Sequence, residues 1–147
     1  MRYLTPDQFG ARMAAIAKAL KENVRTGQAE ILTETQQEFV KRSSGTLTSG
    51  VLRKMGHPYA TRSPQTPVDP SIVNDQGGGV RRGWRKAGPR FQNGAYRGSV
   101  TNSDPNAQFL LGTKRMVKRP IDTYVAGVMR PKFRNRMRAA LREGLKA

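Results

Sequence analysis

The chain has no cysteine and a single histidine, His57, and its 10 acidic residues are outnumbered by 27 lysines and arginines. Without thiols there are no disulfides, no thiolate nucleophile and no cysteine-bound zinc or iron–sulfur centre, which is compatible with a reducing compartment. His57, alone in "GHPYA", lacks the companion ligands that a metal site requires and reads as a loop-packing residue. The acids are scattered apart from one helical stripe, and no pair is spaced for shared acid–base work. The stretch "QGGGVRRGW" has glycines, yet neither the Gly-Lys-Ser/Thr ending nor the preceding apolar strand of a phosphate-binding loop. The longest apolar run, "YVAGVM", falls far short of the roughly 20 residues that span a bilayer. The amino terminus "MRYLTPDQFG" likewise lacks the apolar centre of a signal peptide. These absences lead to the expectation of a soluble intracellular protein with no enzymatic activity, no cofactor, no metal and no membrane partner.

What is present is positive charge, unevenly placed. Net charge is +17, and residues 1–43 hold seven Lys/Arg against five Asp/Glu, whereas residues 44–147 hold twenty against five. Such a block sustains a positive potential that favours polyanions or an acidic protein surface.

At 147 residues the chain is sized for one domain, in four segments. Residues 1–43 read as a long helix. Phe9, Met13, Ile16, Leu20, Val24, Ile31 and Phe39 recur along one face of a 3.6-residue period. Thr5 is placed as N-cap, Pro6 at the first helical position and Gln8 to complete a capping box, with Leu4 and Phe9 as a hydrophobic staple. Gly27 is a place for a kink. Glu30, Glu34 and Glu38 form an acidic line at four-residue spacing. It serves either as a solvated face with Glu38 paired to Arg42 or as a docking stripe for a basic neighbour.

Residues 44–79 are a loop-rich segment with a short helix near Thr48 to Met55 that Gly56 would close. Regular helices are otherwise not expected between 44 and 105, which holds ten of the fifteen glycines and six of the nine prolines. Residues 80–103 read as a β-hairpin turning at Asn93-Gly94, with Pro89 placing the first strand at an edge or bulge. In residues 104–147, Asp104-Pro105 opens a short helix that Gly112 ends, with Phe109, Leu110 and Leu111 on its buried face. A last helix follows, with Phe133, Met137, Ala140, Leu141 and Leu145 on the dry side and Arg134, Arg136, Arg138 and Arg142 on the wet side.

"VRRGWRKAGPRF" interleaves Arg81, Arg82, Arg85, Lys86 and Arg90 with Trp84 and Phe91, the mixture of cations and stacking faces that holds single strands. The same residues are equally consistent with Trp84 and Phe91 as hairpin core and cations facing water. Lys114, Arg115 and Lys118 in "GTKRMVKRP" could contact phosphates or line a surface.

The order of the segments is distinctive. A long amphipathic helix precedes a step of Gly78, Gly79, Val80, Arg81, Arg82 and Trp84. The hairpin then ends in "VTNSDPNAQFLLGT", containing Val100, Asn102, Phe109, Gly112 and Thr113, and is followed by Met116, Arg119 and Pro120 and a final helix. This order resembles the neck proteins of lambda-like long-tailed bacteriophages, the tail-completion or head-to-tail joining family. The resemblance implies an α+β fold, with a long N-terminal helix and a C-terminal helix packed on a small twisted antiparallel β-sheet beside a long Pro/Gly-rich loop. It implies a homo-oligomeric ring, expected to be a hexamer, at the head–tail junction of the virion, assembled in the host cytoplasm. Partners would be further copies of the chain, the head connector or stopper protein, and the tail terminator or tail tube protein, with double-stranded DNA in non-specific contact through the lumen. On that reading Arg81, Arg82, Arg85, Lys86, Arg90, Lys114, Arg115 and Lys118 would face DNA. Glu30, Glu34 and Glu38 would meet a basic surface of another subunit. A tail terminator capping tail-tube growth is the alternative within the same setting, and a basic, ribosome-associated RNA-binding protein is the alternative outside it.

Overall fold

A computed structural model describes residues 5–47, 49–54, 72–75, 77–110 and 121–146 of the chain. The fold is α+β: a long helix α1 (Pro6–Arg42), short helices α2 (Ser49–Lys54) and α3 (Gly79–Gly83), and a hairpin of β1 (Trp84–Gln92) and β2 (Ala95–Asn102). A four-residue helix α4 (Ala107–Leu110) and a second long helix α5 (Ile121–Gly144) follow.

The start of α1 follows its sequence signals. The Gln8 amide donates to Thr5 Oγ1 at 3.3 Å and the Thr5 amide donates to Gln8 Oε1 at 3.0 Å, the reciprocal bonds of a capping box, with Pro6 at the first helical position. Its 37 residues span about 55 Å at 1.5 Å per residue. The helix passes through Gly27 unbroken, and the reason for that glycine is tertiary. A Cβ there would stand 2.9 Å from Met137 Cε on α5. Gly144 plays the same part at the far end, where a Cβ would lie 2.9 Å from the Leu20 backbone. Two missing side chains thus let α1 and α5 approach closely as an antiparallel pair.

The last helix differs from its sequence reading in both start and phase. It begins at Ile121 and runs through Pro131. Pro131 is exposed, and so is Gly127 four residues before it, so the carbonyl that loses its helical donor lies on the wet side, open to solvent. The buried stripe is Ile121, Val125 and Met129, with Gly144 at the end. Phe133, Leu141 and Leu145, expected on the dry side, are exposed. Arg136, expected on the wet side, is half-buried.

The hairpin is antiparallel, with Trp84 opposite Asn102, Lys86 opposite Val100 and Phe91 opposite Tyr96. It turns at Asn93 (φ 49) and Gly94 (φ 76), both in the left-handed region as a type I′ turn requires. The register shifts between Ala87 and Arg90, around the cis Gly88–Pro89 peptide, so Pro89 sits at a bulge. The strand begins at Trp84 rather than at residue 80, because residues 79–83 form α3, which the glycine-rich sequence did not suggest.

Two small apolar clusters meet at Phe39. One contains Ile31, Val125 and Met129, and the other Val73, Trp84 and Ile121, and Phe39 packs against both. The Phe39 and Trp84 rings stack with centroids 4.2 Å apart. Trp84 Nε1–H donates to Ser43 Oγ at 2.9 Å, in a setting where Ser43 is 1% exposed. Residues 72–75 are clipped on beside them: the Val73 amide donates to the Arg42 carbonyl at 2.7 Å and the Gly45 amide to the Val73 carbonyl at 3.1 Å. No helix among the described residues is long and apolar enough to cross a membrane.

Trp84→Phe should keep the stack but leave the Ser43 hydroxyl without its donor, destabilising by about 1–3 kcal/mol. Trp84→Ala should lose about 3–5 kcal/mol by opening a cavity. Urea unfolding of the two variants checks the order and the gap.

Candidate functional site

On α1, Gln28, Leu32, Thr33 and Gln36 carry the hairpin. Gln28 Nε2 donates to the Tyr96 carbonyl at 2.9 Å, Gln36 Nε2 donates to the Trp84 carbonyl at 2.7 Å, Lys86 Nζ donates to Thr33 Oγ1 at 2.6 Å, and Leu32 packs under Gly98. Gly27, Glu30, Ile31 and Glu34 instead face α5. At 100° per residue these two sets are centred on opposite sides of α1. The described residues therefore form three layers, hairpin, α1 and α5, with the long helix in the middle.

Strand alternation sends Val100, Gly98 and Tyr96 toward α1, and Thr101, Ser99 and Arg97 outward with their partners on β1. The outer face therefore carries Arg85, Arg90 and Arg97. Arg90 stands directly opposite Arg97, a like-charge cross-strand pair that is unfavourable on its own. The two flank a cleft of about 300 Å³ lined also by Ala87, Gly88, Gly98 and Ser99. Among the described residues no carboxylate pairs with either. Arg85 donates to the carbonyls of Arg82 and Trp84, and Arg82 to that of Gly77, while Arg81 is exposed. Chemically, this face can hold an anion; among the described residues no group of three His, Cys, Asp or Glu is placed to hold a metal ion.

Of the two rings in the expected single-strand platform, Trp84 is not available and Phe91 is. Trp84 is 5% exposed, and its ring is covered by Phe39. Phe91 is exposed, edge-on to Tyr96 at a centroid distance of 5.1 Å.

Motif residues within the described range hold the hairpin to its surroundings. Asn102 Nδ2 donates to the Val80 carbonyl at 2.7 Å and its Oδ1 accepts from the Asp104 amide at 2.9 Å, joining β2 to α3. A Cβ on Gly79 would collide with the Asp104 carboxylate, and Val100 packs on the Trp84 cluster. Phe109 falls within α4. Gly112, Thr113, Met116, Arg119 and Pro120, with the cations Lys114, Arg115 and Lys118, lie outside the described residues, as does His57.

The acidic stripe finds its basic neighbour within the chain. Glu30 pairs with Arg136 Nη1, and Glu34 pairs with Arg136 Nη2 at 2.7 Å and with Lys132 Nζ at 3.2 Å. Glu38 pairs with Arg42 at 2.9 Å, as its four-residue spacing suggested. The side chains expected to reach another subunit thus lock α5 onto α1. The sequence placed Arg134, Arg138 and Arg142 on the wet side of α5, where they are exposed, but not Arg130, which is exposed on the same face. Their uniform spacing of four was the available signal, obscured by the inclusion of Arg136 among the wet residues.

Comparison with protein-family models, with curated proteins and with solved structures finds no match to the chain.

Arg136→Ala removes the cation shared by Glu30 and Glu34 and should destabilise by about 1 kcal/mol, with the loss shrinking in high salt because these pairs are partly exposed. Urea unfolding at two salt concentrations reads both the size and the screening.

Proposed function

We propose that the chain is a structural protein of a bacteriophage neck, forming a ring that completes the tail and joins it to the head connector, with DNA passing through the lumen. The observation that carries this reading is the disposition of surfaces left without partners among the described residues. Cations face outward from both outer layers, and the first turns of α1 extend past the end of α5 with Phe9 and Met13 56% and 49% exposed. Charged and apolar surfaces on different sides of one small body suit a heterologous contact, in which one face of a subunit meets a different face of the next. The order of the Gly-Val-Arg-Arg, Trp, Val-x-Asn and Met-x-x-Arg-Pro segments supports the same reading through its resemblance to the tail-completion family. An RNA-binding reading rests on "RRGWRKAGPR" as a stacking platform, and burial of Trp84 weakens it.

Deleting the coding sequence from its phage genome should yield filled heads beside separate tails of normal length when lysates are viewed by electron microscopy. Overlong tails would reassign the chain to tail termination. Intact infectious particles would overturn the neck reading altogether.

A further inference from the structure

The outer face of α5 has no role in the reading above beyond general charge. Arg130, Arg134, Arg138 and Arg142 are exposed and follow one another at four-residue steps. Each step advances about 6 Å and turns about 40°, so the four guanidinium groups form a gently winding row about 18 Å long. The row points away from α1, because Ile121, Val125 and Met129 occupy the opposite side of α5. Like charges at this spacing repel one another in a bare helix.

Among the described residues no carboxylate pairs with them. Glu30 and Glu34 are engaged by Arg136 and Lys132, Glu38 by Arg42 and Glu143 by Lys146. The carboxylates of Asp75 and Asp104 cap the backbone amides of Arg81 and Asn106. None of the four arginines forms an ion pair among the described residues, and a net charge of +17 favours neutralisation by an external polyanion.

We propose that this arginine row is a contact surface for the phosphate backbone of duplex DNA, bound without regard to base sequence. A regular row of cations matches a polyanion with repeating charges better than it matches a single anion. Of the exposed neighbours, Gly127, Pro131 and Leu141 carry no ring and Phe133, three residues from Arg130, supplies a single one; platforms for unpaired bases stack successive bases on several rings, which favours a duplex over a single strand. The hairpin cations lie on the far side of α1, so one straight duplex can engage the α5 row or the hairpin of a given subunit, not both. The choice of DNA as the natural polyanion rests on the neck reading, whereas the binding itself is measurable on the purified chain whatever the fate of that reading.

The test is fluorescence anisotropy of the full-length protein with a labelled 30-base-pair duplex of arbitrary sequence, titrated from about 50 to 200 mM salt. Three variants accompany it: R130Q/R134Q/R138Q/R142Q, the same four positions changed to lysine, and R81Q/R90Q/R97Q on the hairpin side. At about 0.9 per neutralised phosphate, the glutamine variant should lose up to about 3.6 from the slope of log K against log salt, roughly a hundredfold change across that range. The lysine variant should keep the slope, and the hairpin variant should keep most of it. The glutamine variant should also melt no lower than the parent without DNA, since glutamine is a good helix former and the repulsion is gone. If it does not fold, the pairs R130Q/R142Q and R134Q/R138Q should each remove about half of the slope. An unchanged slope in the row variants, a loss confined to the hairpin variant, or tighter row-dependent binding to single-stranded RNA than to the duplex would each overturn the proposal.

Discussion

The Trp84 indole holds this fold together. Stacked on Phe39 of α1, hydrogen-bonded to Ser43 just past the end of that helix, and packed with Val73 and Ile121, it joins four separate segments at one side chain. Burying an aromatic group of this size removes some 150–250 Å² from water, which contributes about 4–6 kcal/mol before entropy is counted. Among the described residues few other large side chains are fully buried. Because Trp84 is also the first residue of β1, the position of the hairpin on α1 follows from that one anchorage. The glutamine bonds from Gln28 and Gln36 then fix its direction.

Electrostatics is organised around the same middle layer. The carboxylates of α1 that face α5 take up Arg136 and Lys132, the cations directed inward. Those directed outward, on the hairpin and on the far side of α5, pair with no carboxylate among the described residues. The arrangement includes local repulsions, Arg90 across from Arg97 and arginines one helical turn apart on α5, each worth only a few tenths of a kcal/mol. Such terms are tolerable singly, being small beside even a marginal folding free energy, and a bound polyanion would relieve them.

Local signals in the sequence were legible where the chemistry is local. The Thr5 capping box, the Asn93-Gly94 turn and the bulge at Pro89 each depend on residues a few positions apart, and each stands as read. The phase of α5 was not legible from its second half. Phe133, Leu141 and Leu145 share a period, but the helix is phased by Ile121, Val125 and Met129, and Pro131 hid the continuity between the two halves. The glycines of 77–79 suggested irregular chain, while α3 forms because Asp75 and Asn102 bind its ends from outside. For the site, exposure of the hairpin cations was readable from charge. The partners of Glu30 and Glu34 were not, since they lie about a hundred residues further along and meet only through tertiary packing.

Gly27 and Gly144 set the two long helices so close that side chains of one occupy space the other leaves empty. Since hairpin and α5 are carried on opposite sides of α1, that helix works as an axle. A small rotation about its own axis swings the two outer layers in opposite directions. The projecting end of α1, free of α5 over its first turns, is the handle through which a torque could be applied. Force on that end would reach both charged faces together, with the glycine contacts and the Arg136 ion pairs resisting slip along the seam.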